Sequence, residues 1–459
     1  MSLLDQNFLK EKKGIAFAMV LPFSAVLAMA LAVWKPEFFL AVILIVLAGS
    51  LFWKRTWMLL ALSIATLPFG NVLLIPLGER FSLNMSIAEL AVALAFLLTL
   101  LEGVSPYRAT YFDRIGRDRI FWLLAALVIV SALSFPKALD TKLFFFEWRV
   151  VVIGFMAYTA AVLSVDAFPK ARWLLGGVAF AVLLFSLQVF WLFFRHGYSL
   201  GIFYDRNLLT LPVGAVAYVS AILAFLLPVL FGFFIAERER SRMSWIFLSL
   251  CIAGVFALLM MLSKGAVASF AVGMGFFLLK NKVSLLKPVL FSLSGVFLAL
   301  ALFSPFLAGL VERSVHAFVD VNSQYRILEY SLSWDILRDH WLSGVGLGQQ
   351  PIYFQQIYYP DFINFVNNYA LQMWLDLGIA GLAITLGFVL GIFTEAKAVL
   401  KESIRLMPEY PIAIGIAAGF IAAACNGLVE VTFFGLSYAI VFWTVAGIFR
   451  NIPLWRTSR

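Results

Sequence analysis

The sequence predicts an all-α polytopic membrane protein of about 14 transmembrane helices (12–14), and three observations carry that expectation. Of the 459 residues, 63% are hydrophobic and 13% charged, at a mean hydropathy of +0.97. Soluble domains run closer to about half apolar and about a quarter charged. Apolar runs of membrane-spanning length recur along the whole chain, and the lysines and arginines fall mainly in alternate connections between them. This composition excludes a soluble enzyme and a disordered chain. The net charge of +9 then reflects cationic loops on one membrane face and not a nucleic-acid partner. Cys251 and Cys425 both lie in apolar runs, so neither a disulfide framework nor a cysteine-based metal site is expected.

Taken in order, the candidate spans are 14–34, 37–53, 57–76, 86–103, 120–136, 144–164, 173–194, 210–235, 245–262, 266–280, 287–305, 369–393, 411–430 and 433–449. The third is interrupted by Pro68 and Gly70, and the tenth is short and glycine-rich. Gly14 to Trp34 lacks a small-residue cleavage site and runs through Lys35-Pro36 into another apolar run, so it reads as an uncleaved first helix. With a cytoplasmic N-terminus, the inner connections hold Lys10, Lys12, Lys13, Lys54, Arg55, Arg108, Arg114, Arg117, Arg119, Lys170, Arg172, Arg238, Arg240 and Arg242. Later inner connections add Lys280, Lys282, Lys287, Lys397, Lys401, Arg405, Arg450, Arg456 and Arg459, which makes 23 of the 34 cations. The expected organisation is therefore 1–305 as helices with short loops, 306–368 as one large external loop, and 369–459 as three further helices with a cytoplasmic C-terminus.

Loops as long as 306–368 are uncommon in compact folds and usually functional. Within it, Tyr325, Leu328, Leu332, Ile336 and Leu337 recur at helical spacing, which predicts an amphipathic helix through Arg326–Asp339 on the outer membrane surface. The run Gly344-Val345-Gly346-Leu347-Gly348 has no preceding strand, so a nucleotide-binding reading fails and a tight turn is expected. Asn367-Asn368 opens the next span, where one asparagine serves as an ordinary cap; capping accounts less well for two.

The external cations are Lys35, Arg80, Lys137, Lys142, Arg149, Arg195, Arg206, Lys264, Arg313, Arg326 and Arg338. Singly, each is explained as an interfacial anchor. Converging on one cavity, guanidinium groups would suit a diphosphate, because they stay charged and grip phosphate oxygens with two prongs. His196, His316 and His340 have no metal-ligand spacing, and no metal is expected. The ionisable residues within spans, Glu89, Glu147, Arg149, Asp376 and Glu430, are site candidates by default. Asp376 reads better as a polar seal between helices.

Several of these segments together resemble the O-antigen ligase and polymerase superfamily. Ser323-Gln324-Tyr325-Arg326, Ser333-Trp334-Asp335-Ile336-Leu337 and His340-Trp341-Leu342-Ser343-Gly344-Val345-Gly346-Leu347-Gly348 are similar to its arginine, tryptophan and glycine signature. Asn367 through Gln372 and Leu377 through Leu382 are similar to its next conserved stretch. Gly201-Ile202-Phe203 with Asn207 and Ser263-Lys264-Gly265 look like two earlier family elements. The likeness covers roughly 195–390 at motif level. It implies a GT-C-like, inverting, metal-independent glycosyltransferase of the bacterial inner membrane with its site on the periplasmic face. The donor would be a glycan on undecaprenyl diphosphate, with no cofactor, and a flippase and a chain-length regulator are possible partners. Arg326 matches the arginine thought to act on the diphosphate. Lys264 stands where the family has arginine, and Asn367 where ligases have histidine.

The expected catalytic set is Arg326, Arg206, Lys264 and Asn367, with Arg195, Tyr198, Asn207, Arg313, Tyr325, Glu329, Arg338 and Asn368 binding substrate. Asparagine cannot take a proton at neutral pH. A base would come from Glu329, Asp361 or His340, and the long loop would serve as a lid. The missing histidine favours a polymerase of O-antigen or exopolysaccharide repeat units over a ligase to lipid A-core or another surface acceptor. A lipid-linked glycan transporter, the reading from another class, would place polar residues at mid-membrane and show pseudo-repeats, and neither is seen.

Overall fold

Apolar runs bounded by capping residues become helices. The computed structural model describes residues 51–72, 74–76, 84–103, 115–195, 210–212, 214–237, 244–261, 263–281, 321–357, 365–401, 407, 409–431, 433 and 435–456. The expected spans 14–34 and 287–305, and 37–53 apart from its last three residues, lie outside the described residues. Each of the other eleven contains a helix. In order these are α1 (Thr56–Thr66), α2 (Ile87–Gly103), α3 (Arg119–Leu133), α4 (Thr141–Ser164), α5 (Phe168–Arg195), α6 (Val216–Glu237), α7 (Ser244–Met260) and α8 (Lys264–Lys280). The long loop supplies α9 (Val321–His340) and α10 (Gln350–Ile357), and α11 (Tyr369–Val399), α12 (Tyr410–Gly427) and α13 (Leu436–Asn451) follow. Among the described residues, six helical stretches are long and apolar enough to cross a membrane: Arg119–Lys137, α4, α5, α6, α11 and α12.

Two expected spans are shorter than their apolar runs. α1 stops at Thr66, because Pro68 and Gly70 (φ 35°) turn the chain into a short 3-10 segment. The run then passes into β1 (Leu74–Pro76), which pairs antiparallel with β2 (Asn84–Ser86). The run beginning at 210 likewise opens with a small ladder, Thr210–Leu211 against Gly214–Ala215, before α6 starts. α2 begins with a capping box that the sequence spells as Ser86-x-x-Glu89: Ser86 N donates to Glu89 Oε2 at 2.6 Å, and Glu89 N to Ser86 Oγ at 3.3 Å. Glu89 also pairs with Arg149 of α4 at 3.3 Å.

The centre is α6 against α12. Gly232 and Gly415 let these two backbones meet, for a Cβ on either would lie within 2.5 Å of a carbonyl of the other helix. Small residues at the crossing replace the hydrophobic driving force that lipid cannot supply. α4 packs similarly on α13, with Gly447 against Tyr158 O, and α8 packs on α12 through Gly273.

α9 carries its apolar residues on one face. Leu332, Ile336 and Leu337 are buried with Val345, Phe354, Val366 and Leu375, while Ile327, Trp334 and Arg338 point outward. Each fully buried leucine or isoleucine contributes roughly 1.5–3 kcal/mol. The glycine run that follows is the expected turn, and it is tied to a break in α11. Gly378 has φ 66°, so the helix cannot continue its own ladder there. Leu375 O and Asp376 O instead accept from Val345 N (2.8 Å) and Gly346 N (2.9 Å), and Ile379 N donates to Leu342 O (3.3 Å). Gly344 (φ 64°) backs onto Asp376 O, where a Cβ would stand 2.4 Å away. Lys137 Nζ donates to Ser343 O and Gly344 O, and Ser134 Oγ accepts from Leu347 N.

Candidate active site

Arg326 and Glu329 stand three residues apart on α9, spacing that puts both on one side of a helix. Arg326 Nη2 meets Glu430 Oε1 at 2.8 Å. Glu430 sits in the turn that ends α12, its main-chain N donating to Asn426 O at 2.8 Å. The N-terminus of α8 abuts the same turn: a Cβ on Gly265 would meet Val429 Cγ2 at 2.9 Å, and Asn426 Oδ1 and Glu430 Cγ at 3.8 Å. Lys264, the first residue of α8, therefore adjoins the element that Arg326 pairs with. Ser263 Oγ, at the cap of α8, is buried and has no hydrogen-bond partner among the described residues.

The two asparagines do different work. Asn368 is the cap of α11, its Oδ1 accepting from Leu371 N at 3.0 Å, while its Nδ2 donates to Leu428 O at 3.3 Å. Asn367 turns back towards α9. Its Nδ2 donates to Glu329 Oε2 at 2.9 Å and Oε1 at 3.2 Å, and its main-chain N to Oε2 at 3.2 Å. Tyr330 OH donates to Asn367 O at 3.3 Å. Glu329 is 1% exposed. Burial raises its carboxyl above the ordinary range, against the lowering effect of the Asn367 bonds and the Arg326 charge, and Glu430 adds to the rise.

An apolar groove opens beside this cluster, between α11, α12 and α13. Tyr369, Gly427 and Leu428 line the end next to Asn368. Phe388, Phe420 and Trp443 carry it further among the helices.

The remaining expected site residues fall in three groups. Arg206, Tyr198, Asn207, Arg313 and Asp361, and the side chain of Tyr325, lie outside the described residues. Arg338 is not brought to the cluster: it is twelve residues along α9 from Arg326, about 18 Å at helical rise, and pairs with Asp335 at 3.3 Å. His340 lies beyond it with its ring against Tyr353. Arg195 ends α5 with its guanidinium over the Trp191 ring. Asp376, expected to seal a contact between helices, has its side chain bonded within α11, accepting from Gln372 Nε2 at 3.0 Å in a fully buried position. Glu430 as the partner of Arg326 was visible in sequence only as an ionisable residue in an apolar run, with nothing to link it across 104 positions.

Residues 247–386 match the family model of the O-antigen ligase domain, a stretch that holds Lys264, Arg326, Glu329, Asn367 and Asn368. No curated protein matches the chain.

Proposed function

We propose that this chain, which carries the domain of the O-antigen ligase/polymerase superfamily over residues 247–386, is a membrane glycosyltransferase that polymerises lipid-linked repeat units on the periplasmic face. Its donor is a glycan on undecaprenyl diphosphate. The observation that carries this reading is the meeting of Arg326, Glu430 and the Lys264 end of α8 beside the mouth of an apolar groove.

In such a transfer an acceptor hydroxyl displaces the diphosphate from the anomeric carbon, and negative charge grows on the leaving oxygens. Fixed cations in a shielded site stabilise that charge more in the transition state than in the ground state. Arg326 supplies a planar fork, and Lys264 a point charge at a helix N-terminus whose dipole also favours an anion. Glu430 holds Arg326 in place and shares its charge until the diphosphate arrives. The groove along α11, α12 and α13 offers the prenyl chain an apolar bed. The donor is already activated, so no nucleotide is needed.

The test is purified protein in lipid nanodiscs with a defined undecaprenyl-diphosphate-linked repeat unit. A ladder of lengthened lipid-linked products supports the polymerase. Turnover only when a separate lipid A-core acceptor is added assigns the ligase reaction instead. No transfer under either condition overturns the transferase reading.

A further inference from the structure

We propose that Glu329 is the group that takes the proton from the acceptor hydroxyl, and that Asn367 is its positioning residue. The proposal rests on the transferase reading above and adds to it the residue that handles the proton.

Three observations lead there. A carboxylate accepts and never donates, and Asn367 meets it with donors alone, the side-chain amide on both oxygens and the main-chain N–H on Oε2. Those contacts fix the plane of the carboxylate and leave acceptor capacity among its roughly four lone-pair positions for an incoming proton. Secondly, Glu329 stands one helical turn from Arg326, the cation that the leaving diphosphate would meet, so both ends of a displacement fall on one side of α9. Thirdly, the carboxyl is buried, which keeps bulk water from competing for its proton and holds its affinity above that of an ordinary glutamate. Of the other two bases expected from the sequence, His340 packs against Tyr353 at the far end of α9, and Asp361 lies outside the described residues.

The charged and titratable groups around Glu329 are Arg326 and Tyr330 on its own helix and Glu430 in the turn after α12. Lys264 heads α8 on the other side of Glu430. In the step, the hydroxyl oxygen bonds to the anomeric carbon while the carbon–oxygen bond to the diphosphate breaks, its electron pair leaving on the phosphate oxygen. The hydroxyl proton passes to a Glu329 oxygen and goes to water once the products depart.

The experiment compares Glu329→Gln, Glu329→Asp, Asn367→Ala and Arg326→Ala with the parent in nanodiscs. It measures binding of a fluorescent undecaprenyl-diphosphate-linked glycan and the single-turnover rate from acidic to alkaline pH. Glu329→Gln should keep the parent's donor affinity, lose about 10²–10⁴ in turnover and lose the acidic limb of the rate profile. Glu329→Asp should keep that limb with part of the rate, and it carries the test if the glutamine variant does not insert. Asn367→Ala should move the limb to higher pH, because it removes hydrogen bonds that favour the charged form. A parent-like rate and profile in Glu329→Gln, with donor binding lost in Arg326→Ala, would overturn the proposal and leave the transferase reading standing. Loss of donor affinity in Glu329→Gln would make the residue a binding group and also overturn it. No turnover by the parent would remove both.

Discussion

Asn367 reaches Glu329 with both of its nitrogens, Nδ2 at 2.9 Å and the main-chain N at 3.2 Å, although the two residues are 38 positions apart. The contact joins the loop helix to the start of α11 through a buried carboxyl whose proton affinity is raised in the folded chain. A raised folded pKa means that this group's contribution to stability is complete below the ordinary glutamate range and is lost as pH rises through the folded value. The melting temperature of the parent should therefore fall relative to that of Glu329→Gln as pH is raised through that interval. Parallel curves would refute the linkage.

Replacing Arg326 by alanine takes away the guanidinium that pairs with Glu430 at 2.8 Å. Transfer should drop by about 10²–10³, the usual cost of losing one group aimed at developing charge. Arg326→Lys should recover part of the rate, since it keeps the charge and loses the fork. Chain-length analysis of the polysaccharide made by cells carrying each variant checks both.

Glu430→Gln removes a negative charge from the place where a diphosphate is expected. Donor should bind more tightly, seen as a lower KM, because Arg326 no longer divides its charge. The ion pair is partly exposed on the arginine side, so the accompanying loss of stability should be no more than about 1 kcal/mol. A raised KM would show that holding Arg326 in its working orientation outweighs the charge that Glu430 takes from it.

Gly378→Ala puts a Cβ 2.2 Å from Leu342 O at a backbone angle that side chains rarely adopt. Strain and clash together should cost about 3 kcal/mol or more. The variant should show a clear fall in melting temperature in detergent and poor accumulation in membranes. Unchanged values would mean that the break in α11 is not fixed by this glycine.

Helices were legible because lipid makes the apolar run itself the signal, and eleven of the expected spans hold one. Their ends were less so. Pro68 and Gly70 close α1 ten residues before its apolar run does, since hydropathy registers side chains and not backbone angles. The α9 stripe of Leu332, Ile336 and Leu337 was readable from spacing alone, as was one asparagine cap before α11. What spacing could not say was which of Asn367 and Asn368 would cap and which would turn to Glu329. The Arg326–Glu430 pair was equally out of reach, for its partners meet only through the folding of α8, α9 and α12 around one turn. Arg326 and Arg338 looked alike as external cations, yet a little over three helical turns separate them.

The exchange of hydrogen bonds at the α11 break has a mechanical consequence. Prising residues 345 and 346 away would strip the buried Leu375 and Asp376 carbonyls of their donors, at about 1–3 kcal/mol for each bared acceptor. The glycine turn and α11 are thus joined into one body, and deuterium should enter the Val345 and Gly346 amides as slowly as it enters the heart of α11. Any opening of this helix bundle must then flex away from this join.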